Sequence, residues 1–342
     1  MTVDRVEVPA ARLRTLPGLW HWASRARRLV AERETGFIWC GNARPAAYVA
    51  WWLERRIDVP YGIILHGGDL LRLRERYRAS TVKRVVARRL LGGARWLVAN
   101  SGWTAALARE VLTELEAGDS ARVRVIPLGS DPARFRPDAD PGAAQARYGL
   151  VPDRRRLLTV ARLVPHKGID TAIEVLGRLA ATYPDLEYLV AGDGPDRDRL
   201  GRLATAAGVA DRVRWLGAVP NDDLPGLYAL SDLYLGLSRE DGLEAEGFGI
   251  ALADAAAAGV PVVAGRSGGT ADAVRDGETG IRVDPADPVA VAEAVAGLLD
   301  DSGRRAVLGA AGRQWVVREL NWDRSVAALA DLSRAAARSA PR

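Results

Sequence analysis

The sequence predicts an α/β protein built as two Rossmann-like lobes facing a cleft. Three observations carry that expectation. Short runs rich in Val, Ile and Leu alternate with helical patterns along most of the 342 residues. The runs are continuously apolar, as in strands of a parallel sheet covered on both faces. They also fall into two series, separated by the polar stretch DPARFRPDADPG at 131–142.

In the first series, FIWCG (37–41), YGIILHG (61–67), RWLVANS (95–101) and RVRVIPLG (122–129) read as buried strands, each flanked by a helical pattern. The second series holds six: RLLTVARL (156–163), EYLVAGDG (187–194), RVRWLG (212–217), DLYLGLS (232–238), PVVAG (261–265) and GIRVD (280–284). WDRSVAALADLSRAAARS (322–339) has the spacing of one amphipathic helix. These readings divide the chain into a first lobe at 1–137, a second at 138–320, and a terminal helix at 321–342 that packs back toward the first.

Composition narrows the function classes. The one cysteine, Cys40, excludes an internal disulfide framework and a cysteine zinc site. No run of 18 uncharged apolar residues suits a membrane span, and MTVDRVEVPA lacks a secretory pattern, so the expected location is the cytoplasm. Charge is uneven. Residues 1–100 carry 19 Lys+Arg against 8 Asp+Glu, while the remaining 242 residues carry 29 against 35. The excess peaks at 70–95, with nine cations and one acid, Glu75. That run fits a solvated helix face, or an anionic membrane surface or acceptor touched peripherally at the inner face of the membrane. Nucleic acid is disfavoured, since aromatic residues are not interleaved with the cations.

Ligands of open α/β sheets bind beyond the carboxyl ends of the strands, so candidate residues are sought there. TVARLVPHKGID (159–170) puts Arg162 at a strand end and Lys167 five positions on. Lys167 is one of two lysines among 48 basic residues. A compact ammonium beside a guanidinium fork at a helix start suits a diphosphate; a solvent-exposed pair is the alternative.

SREDGLEAEGFGIALADA (238–255) follows the next strand in line. Gly247 and Gly249 would let amides approach an anion at a helix mouth. Glu246 could accept hydrogen bonds from a polyhydroxy ligand, and Asp254 could take a pair of ribose hydroxyls. Either acid could instead complement the helix dipole. In YGIILHGGDL, His66 ends a first-lobe strand where a cleft would use it, although a lone histidine is commonly structural.

Three other features are discounted or left open. Gly192 and Gly194 lack the third glycine of a dinucleotide fingerprint. Asp196 and Asp198 mimic a metal motif but suit a helix first turn. Gly268–Gly269 is either a loop approaching a ligand or a tight turn.

Taken in order, RLVPHKGID, VAGDGP, WLGAVPNDDLPGLYALSD and EGFGIALADAAAAGVPVVAG resemble the retaining glycosyltransferases of the GT-B fold, the glycosyltransferase family 4 type. With FIWCGNARPAA and ILHGGD, the phosphatidylinositol mannosyltransferases look most similar. The resemblance implies a metal-independent hexosyltransferase with no cofactor, whose donor is a nucleotide-diphosphate sugar, GDP-mannose being favoured. It implies transfer with retention to a lipid-linked or small-molecule acceptor. It also implies Arg162 and Lys167 at the diphosphate, Glu246 and His66 at the sugar, backbone at Phe248, Gly249 and Ile250, Asp254 at the ribose and Val219 near the base.

Two departures stand out. Asp254 replaces the family's usual Glu, one methylene longer. The first lobe also reads as shortened, without the family's opening strand and Gly-rich loop before PGLWHWASRARRLVAERE. A non-catalytic or regulatory protein on the same scaffold, and a sugar-nucleotide epimerase, are the competing readings.

Overall fold

The computed structural model describes residues 16–338. The chain separates into two compact units. One comprises the described residues up to Ile126 together with those from Ala327 on, and the other is Pro127–Val326.

In the first unit the strands β1 (Ile38–Cys40), β2 (Tyr61–Leu65), β3 (Trp96–Ala99) and β4 (Val123–Val125) form a parallel sheet in sequence order. Tyr61, Ile63 and Leu65 of β2 are fully buried, with Leu70, Leu90 and Val111 among the helical residues packed on them. The Tyr61 hydroxyl donates to the Leu90 carbonyl at 2.6 Å, satisfying its polar tip inside the core. Helix Leu16–Glu32 lays Leu19, Trp22, Ala23, Ala26 and Val30 against Val49 and Leu53 of helix Ala46–Ile57, a spacing that puts all five on one stripe. Among the described residues no strand precedes Ile38; the opening residues 1–15, on which part of the shortened-lobe expectation falls, lie outside the described residues.

Helix Trp322–Arg338 ends in this unit, where the Trp39 indole donates to Ser333 Oγ at 2.8 Å and the Trp96 indole to the Leu332 carbonyl at 3.1 Å. The division after Ile126 comes earlier than the expected 137. Its physical reason is Phe135, buried in the second unit's core edge-on to Tyr228, which binds the connecting segment to that unit.

The second unit holds six parallel strands: β5 (Arg156–Val160), β6 (Glu187–Ala191), β7 (Val213–Gly217), β8 (Leu233–Gly236), β9 (Val262–Gly265) and β10 (Ile281–Val283). Their spatial order is β7-β6-β5-β8-β9-β10, the doubly wound Rossmann order. The chain winds outward from β5 through β6 and β7, then returns to place β8 on the other side of β5. At that reversal the loops after β5 and β8 diverge to opposite faces and leave a crevice between them. Polar groups buried beneath it are satisfied: Thr159 Oγ1 donates to the Leu235 carbonyl at 2.6 Å and accepts from the Tyr188 hydroxyl at 2.7 Å.

The glycines of AGDGP serve packing. Gly192 has φ +144°, and a Cβ there would lie 1.8 Å from the Ala161 carbonyl oxygen. The missing side chain lets the loop after β6 support the one after β5, with Ala161 and Leu163 amides donating to the Ala191 and Asp193 carbonyls. Gly192→Ala should therefore cost about 2–4 kcal/mol in denaturant titration. Gly297, exposed in helix Pro288–Asp300 with open space around it, should on replacement by Ala stabilise by roughly 0.5–1 kcal/mol. Equal effects at both positions would show that the close approach at Gly192 is unimportant.

Candidate functional site

The residues just past β5 and β8 meet at the reversal in strand order. Beyond β5 the chain passes exposed Arg162, makes a 3-10 turn at Pro165–Lys167, and enters helix Ile169–Leu179. Beyond β8 it runs through Ser238 to Glu246. Lys167 Nζ lies 2.7 Å from Glu246 Oε2, and the Ser238 hydroxyl donates to the same oxygen at 3.0 Å. Burial by itself would raise the Glu246 carboxyl. The Lys167 charge and the two donated hydrogen bonds outweigh it, holding Glu246 below its ordinary range. At neutral pH the pair is thus an ammonium and a carboxylate in a partly dry crevice.

His166 was not singled out from sequence, yet its ring is buried beside this pair. Desolvation first, and the neighbouring Lys167 charge second, push its titration below the ordinary histidine value. Ser238 was also missed as an individual residue; a hydroxyl directly after an apolar strand is the available signal.

A second set of ion pairs fixes the same loops. Arg239 forks onto Asp170 with bonds of 2.8 and 2.7 Å, and Arg199 reaches Asp170 Oδ2 at 3.2 Å. This ties the loop after β8 to helices Ile169–Leu179 and Arg197–Ala206. Asp196 gives both its oxygens to Arg199, at 2.6 and 2.7 Å, from the N-cap position of its helix, with Asp198 in the first turn. The Asp-x-Asp spelling is therefore accounted for by an ion pair at Asp196 and by a first-turn acid, Asp198, that complements the helix dipole.

At the mouth of helix Ile250–Ala257, Gly249 takes a left-handed conformation with φ +96°, and no side chain caps the first turn. Its leading amides lack partners within the helix and carry the positive end of the helix dipole. Phe248 is buried as an apolar anchor, and Ile250 is exposed. The Gly268–Gly269 loop approaches this mouth from β9. The Gly269 amide donates to the Glu246 carbonyl at 2.7 Å, and a Cβ at Gly268 would lie 2.1 Å from that oxygen. The loop thus braces the backbone beside Gly247 and Glu246.

Asp254 lies one turn further in, its Oδ1 accepting from Ser130 Oγ at 2.6 Å. Burial pushes the Asp254 carboxyl up to about 6, against the opposing pull of the Ser130 bond and of Arg134. Val219, after β7, is partly buried against the core that contains Phe248 and Leu252.

The structure therefore brings Lys167, Glu246, Gly247, Phe248, Gly249 and Ile250 together, with Arg162 on the same β5 loop. His66 belongs to the first unit. It follows β2, exposed, with its ring Nε2 2.9 Å from the Gly41 carbonyl. A carbonyl only accepts, so Nε2 carries hydrogen and a neutral ring presents Nδ1 as its acceptor.

Residues 143–315 match the family "Glycosyl transferases group 1". A GDP-mannose-dependent alpha-(1-6)-phosphatidylinositol monomannoside mannosyltransferase of Mycobacterium tuberculosis is 35% identical over 314 residues, 91% of this chain and 78% of that protein. Its counterpart in Mycolicibacterium smegmatis is 36% identical over 313 residues, covering 91% and 79%. Among solved structures, sucrose-phosphate synthase from Thermosynechococcus elongatus aligns with a TM-score of 0.78 at 23% identity, over 96% of this chain and 80% of that one. An Anabaena protein crystallised with UDP and glucose aligns at 0.76 and 22% identity, over 92% and 80%. The fold expected from sequence, GT-B, is the fold found.

Asp254 generates a stability prediction. Its folded carboxyl holds a proton more tightly than the unfolded 3.8, so ionisation penalises folding fully above about pH 6, and the penalty fades as pH falls toward 4. That rise corresponds to roughly 3 kcal/mol. Asp254→Asn should stabilise the unliganded protein by up to this amount at pH 7 and by little near pH 4, read by denaturant titration at both. A pH-independent change would contradict the burial assigned to the carboxylate.

Proposed function

Because the chain belongs to the group 1 glycosyl transferases, we propose that it transfers mannose from GDP-mannose, with retention, to a lipid-linked acceptor of the phosphatidylinositol type. The observation that carries this reading is the Lys167–Glu246 pair at the strand-order reversal. A donor would enter between the two. Lys167 and Arg162 neutralise the diphosphate as it leaves, stabilising charge that develops in the transition state. Glu246, with Ser238 fixing Oε2, accepts hydroxyls of the donor sugar through Oε1. The uncapped turn from Gly249 offers amides to the phosphates.

Asp254 takes the ribose, and Val219 lies at the base. His66, with Nε2 engaged by the Gly41 carbonyl, is assigned to a sugar hydroxyl through Nδ1. Glu246 is committed to binding, so the leaving phosphate serves as the base that deprotonates the attacking hydroxyl on the same face. The identities of sugar and base rest on the two mycobacterial relatives, whose names specify GDP-mannose.

Transfer from GDP-mannose to a phosphatidylinositol acceptor should fall about a hundredfold or more in Lys167→Ala and Glu246→Ala. Undiminished turnover in both would refute the site, an inverted product anomer by NMR would refute retention, and a preference for a UDP-sugar would refute the donor. An epimerised sugar formed with donor alone would favour the epimerase reading.

Membrane contact is proposed for the basic face of the first unit. Helix Thr81–Gly93 exposes Val82 and Val85 beside Lys83, Arg84, Arg88 and Arg89. Within the basic run, Arg74 and Arg78 are already paired with Glu114, and Arg88 lies 3.9 Å from Glu116, which reduces the charge left for a surface. Each remaining cation near an anionic bilayer contributes about 1 kcal/mol. No helix among the described residues is long and apolar enough to cross a membrane, so the contact proposed is peripheral, at the cytoplasmic face. Binding to phosphatidylglycerol vesicles should weaken steeply with salt. Indifference to such vesicles at low ionic strength would point to a soluble acceptor.

A further inference from the structure

Asp254 stands where a longer carboxylate is expected, and the structure supplies a partner for it from far along the chain. Ser130 lies in the segment leaving the first unit, almost fully buried, with its hydroxyl 2.6 Å from Asp254 Oδ1. Its backbone is held independently of that bond. The Ser130 amide donates to the Leu320 carbonyl at 2.9 Å, Ser130 pairs in a bridge with Asn321, and Gly129 packs so closely on Asn321 and Trp322 that a Cβ would lie 2.4 Å from their backbone. A serine with a fixed backbone and no room to leave is a donor of fixed direction. A carboxylate one methylene shorter than glutamate has less reach but also fewer torsions to immobilise.

We propose that Ser130 is the positioning residue of Asp254, holding Oδ1 so that the carboxylate stays ionised and Oδ2 is left for the ribose hydroxyls of a nucleoside-diphosphate donor. This rests on the assignment of Asp254 to the ribose made above. Around Asp254 the other charged and titratable groups are few. Asp131 and Arg134 lie on Ser130's own segment, with Arg134 bonded to the Asn221 carbonyl beyond Val219. Tyr228 and Tyr234 lie near it on helix Leu224–Ala229 and β8, and Arg313, on helix Ser302–Glu319, bonds the Ala257 carbonyl of Asp254's own helix. Among them Arg134 opposes and Asp131 reinforces the effect of burial. The Ser130 bond is the leading contribution that keeps Asp254 charged, so its removal should move the acid limb of nucleotide binding toward higher pH.

The test measures GDP and 2′-deoxy-GDP affinity by calorimetry from roughly pH 5 to 8 in the wild type, Ser130→Ala, Ser130→Thr and Asp254→Asn. Ser130→Ala should weaken GDP about tenfold at pH 7, leave 2′-deoxy-GDP within about twofold, and shift the acid midpoint upward. Ser130→Thr, keeping the hydroxyl, should restore the wild-type midpoint. Equal loss for both nucleotides with an unmoved midpoint would reduce Ser130 to a packing residue and overturn the proposal. If Asp254→Asn abolishes the preference for GDP over 2′-deoxy-GDP while Ser130→Ala leaves it intact, the ribose assignment stands and the role of Ser130 falls. If Asp254→Asn leaves that preference unchanged, the ribose assignment fails and the proposal falls with it.

Discussion

A lysine and a glutamate in a partly dry crevice, 2.7 Å apart, are the interaction around which the second unit is organised. Each would be costly alone there, and together they are stable because each supplies the other's counter-charge. They can meet only because β8 returns to the far side of β5, so that loops separated by some seventy residues share one crevice. Much of the surrounding structure holds those two loops in place. Gly192 brings one loop onto the other's support, the Arg239–Asp170 fork locks the β8 loop to the helix after Lys167, and the Gly268–Gly269 loop braces Glu246 from beneath. A donor entering this site would exchange one set of compensated charges for another, which is how an anion site can be stable while empty and still bind when its ligand arrives.

The two acids that look alike in sequence are treated in opposite ways. Glu246 receives an ammonium and a hydroxyl, and its carboxyl is held down. Asp254 receives a single hydroxyl among buried aromatic groups, and its carboxyl is pushed up to about 6. One residue is thereby committed to charge at any physiological pH, while the other is poised within reach of titration. The difference comes from neighbours contributed by β5, β8 and the segment at Ser130, and no local property of the helix would produce it.

In the first unit, the basic run is less free than its composition suggests. Arg74 and Arg78 converge on Glu114, with Tyr77 donating to the same carboxylate at 2.5 Å, so part of the run works as an internal clamp between helices. The exposed cations that remain are concentrated on helix Thr81–Gly93 beside exposed valines.

The ten strands among the described residues were legible from the sequence, because a parallel strand buried on both faces must be written as a short apolar run, and runs such as YGIIL and LLTV leave little else to be. Arg162, Lys167 and Glu246 stood out as candidates for a related reason: charge placed in the loop that follows a buried strand has to face a crevice or water. Strand order, hydrogen-bond partners and titration were decided by tertiary structure. Nothing local in DLYLGLS says that it lies beside β5, that Ser238 turns toward Glu246, or that Phe135 draws the connecting segment into the second unit. Ser130, 124 positions from Asp254, was invisible for the same reason. Apolar periodicity is a property of neighbours along the chain, whereas a hydrogen bond between distant side chains exists only once the backbone that carries them has been folded into place.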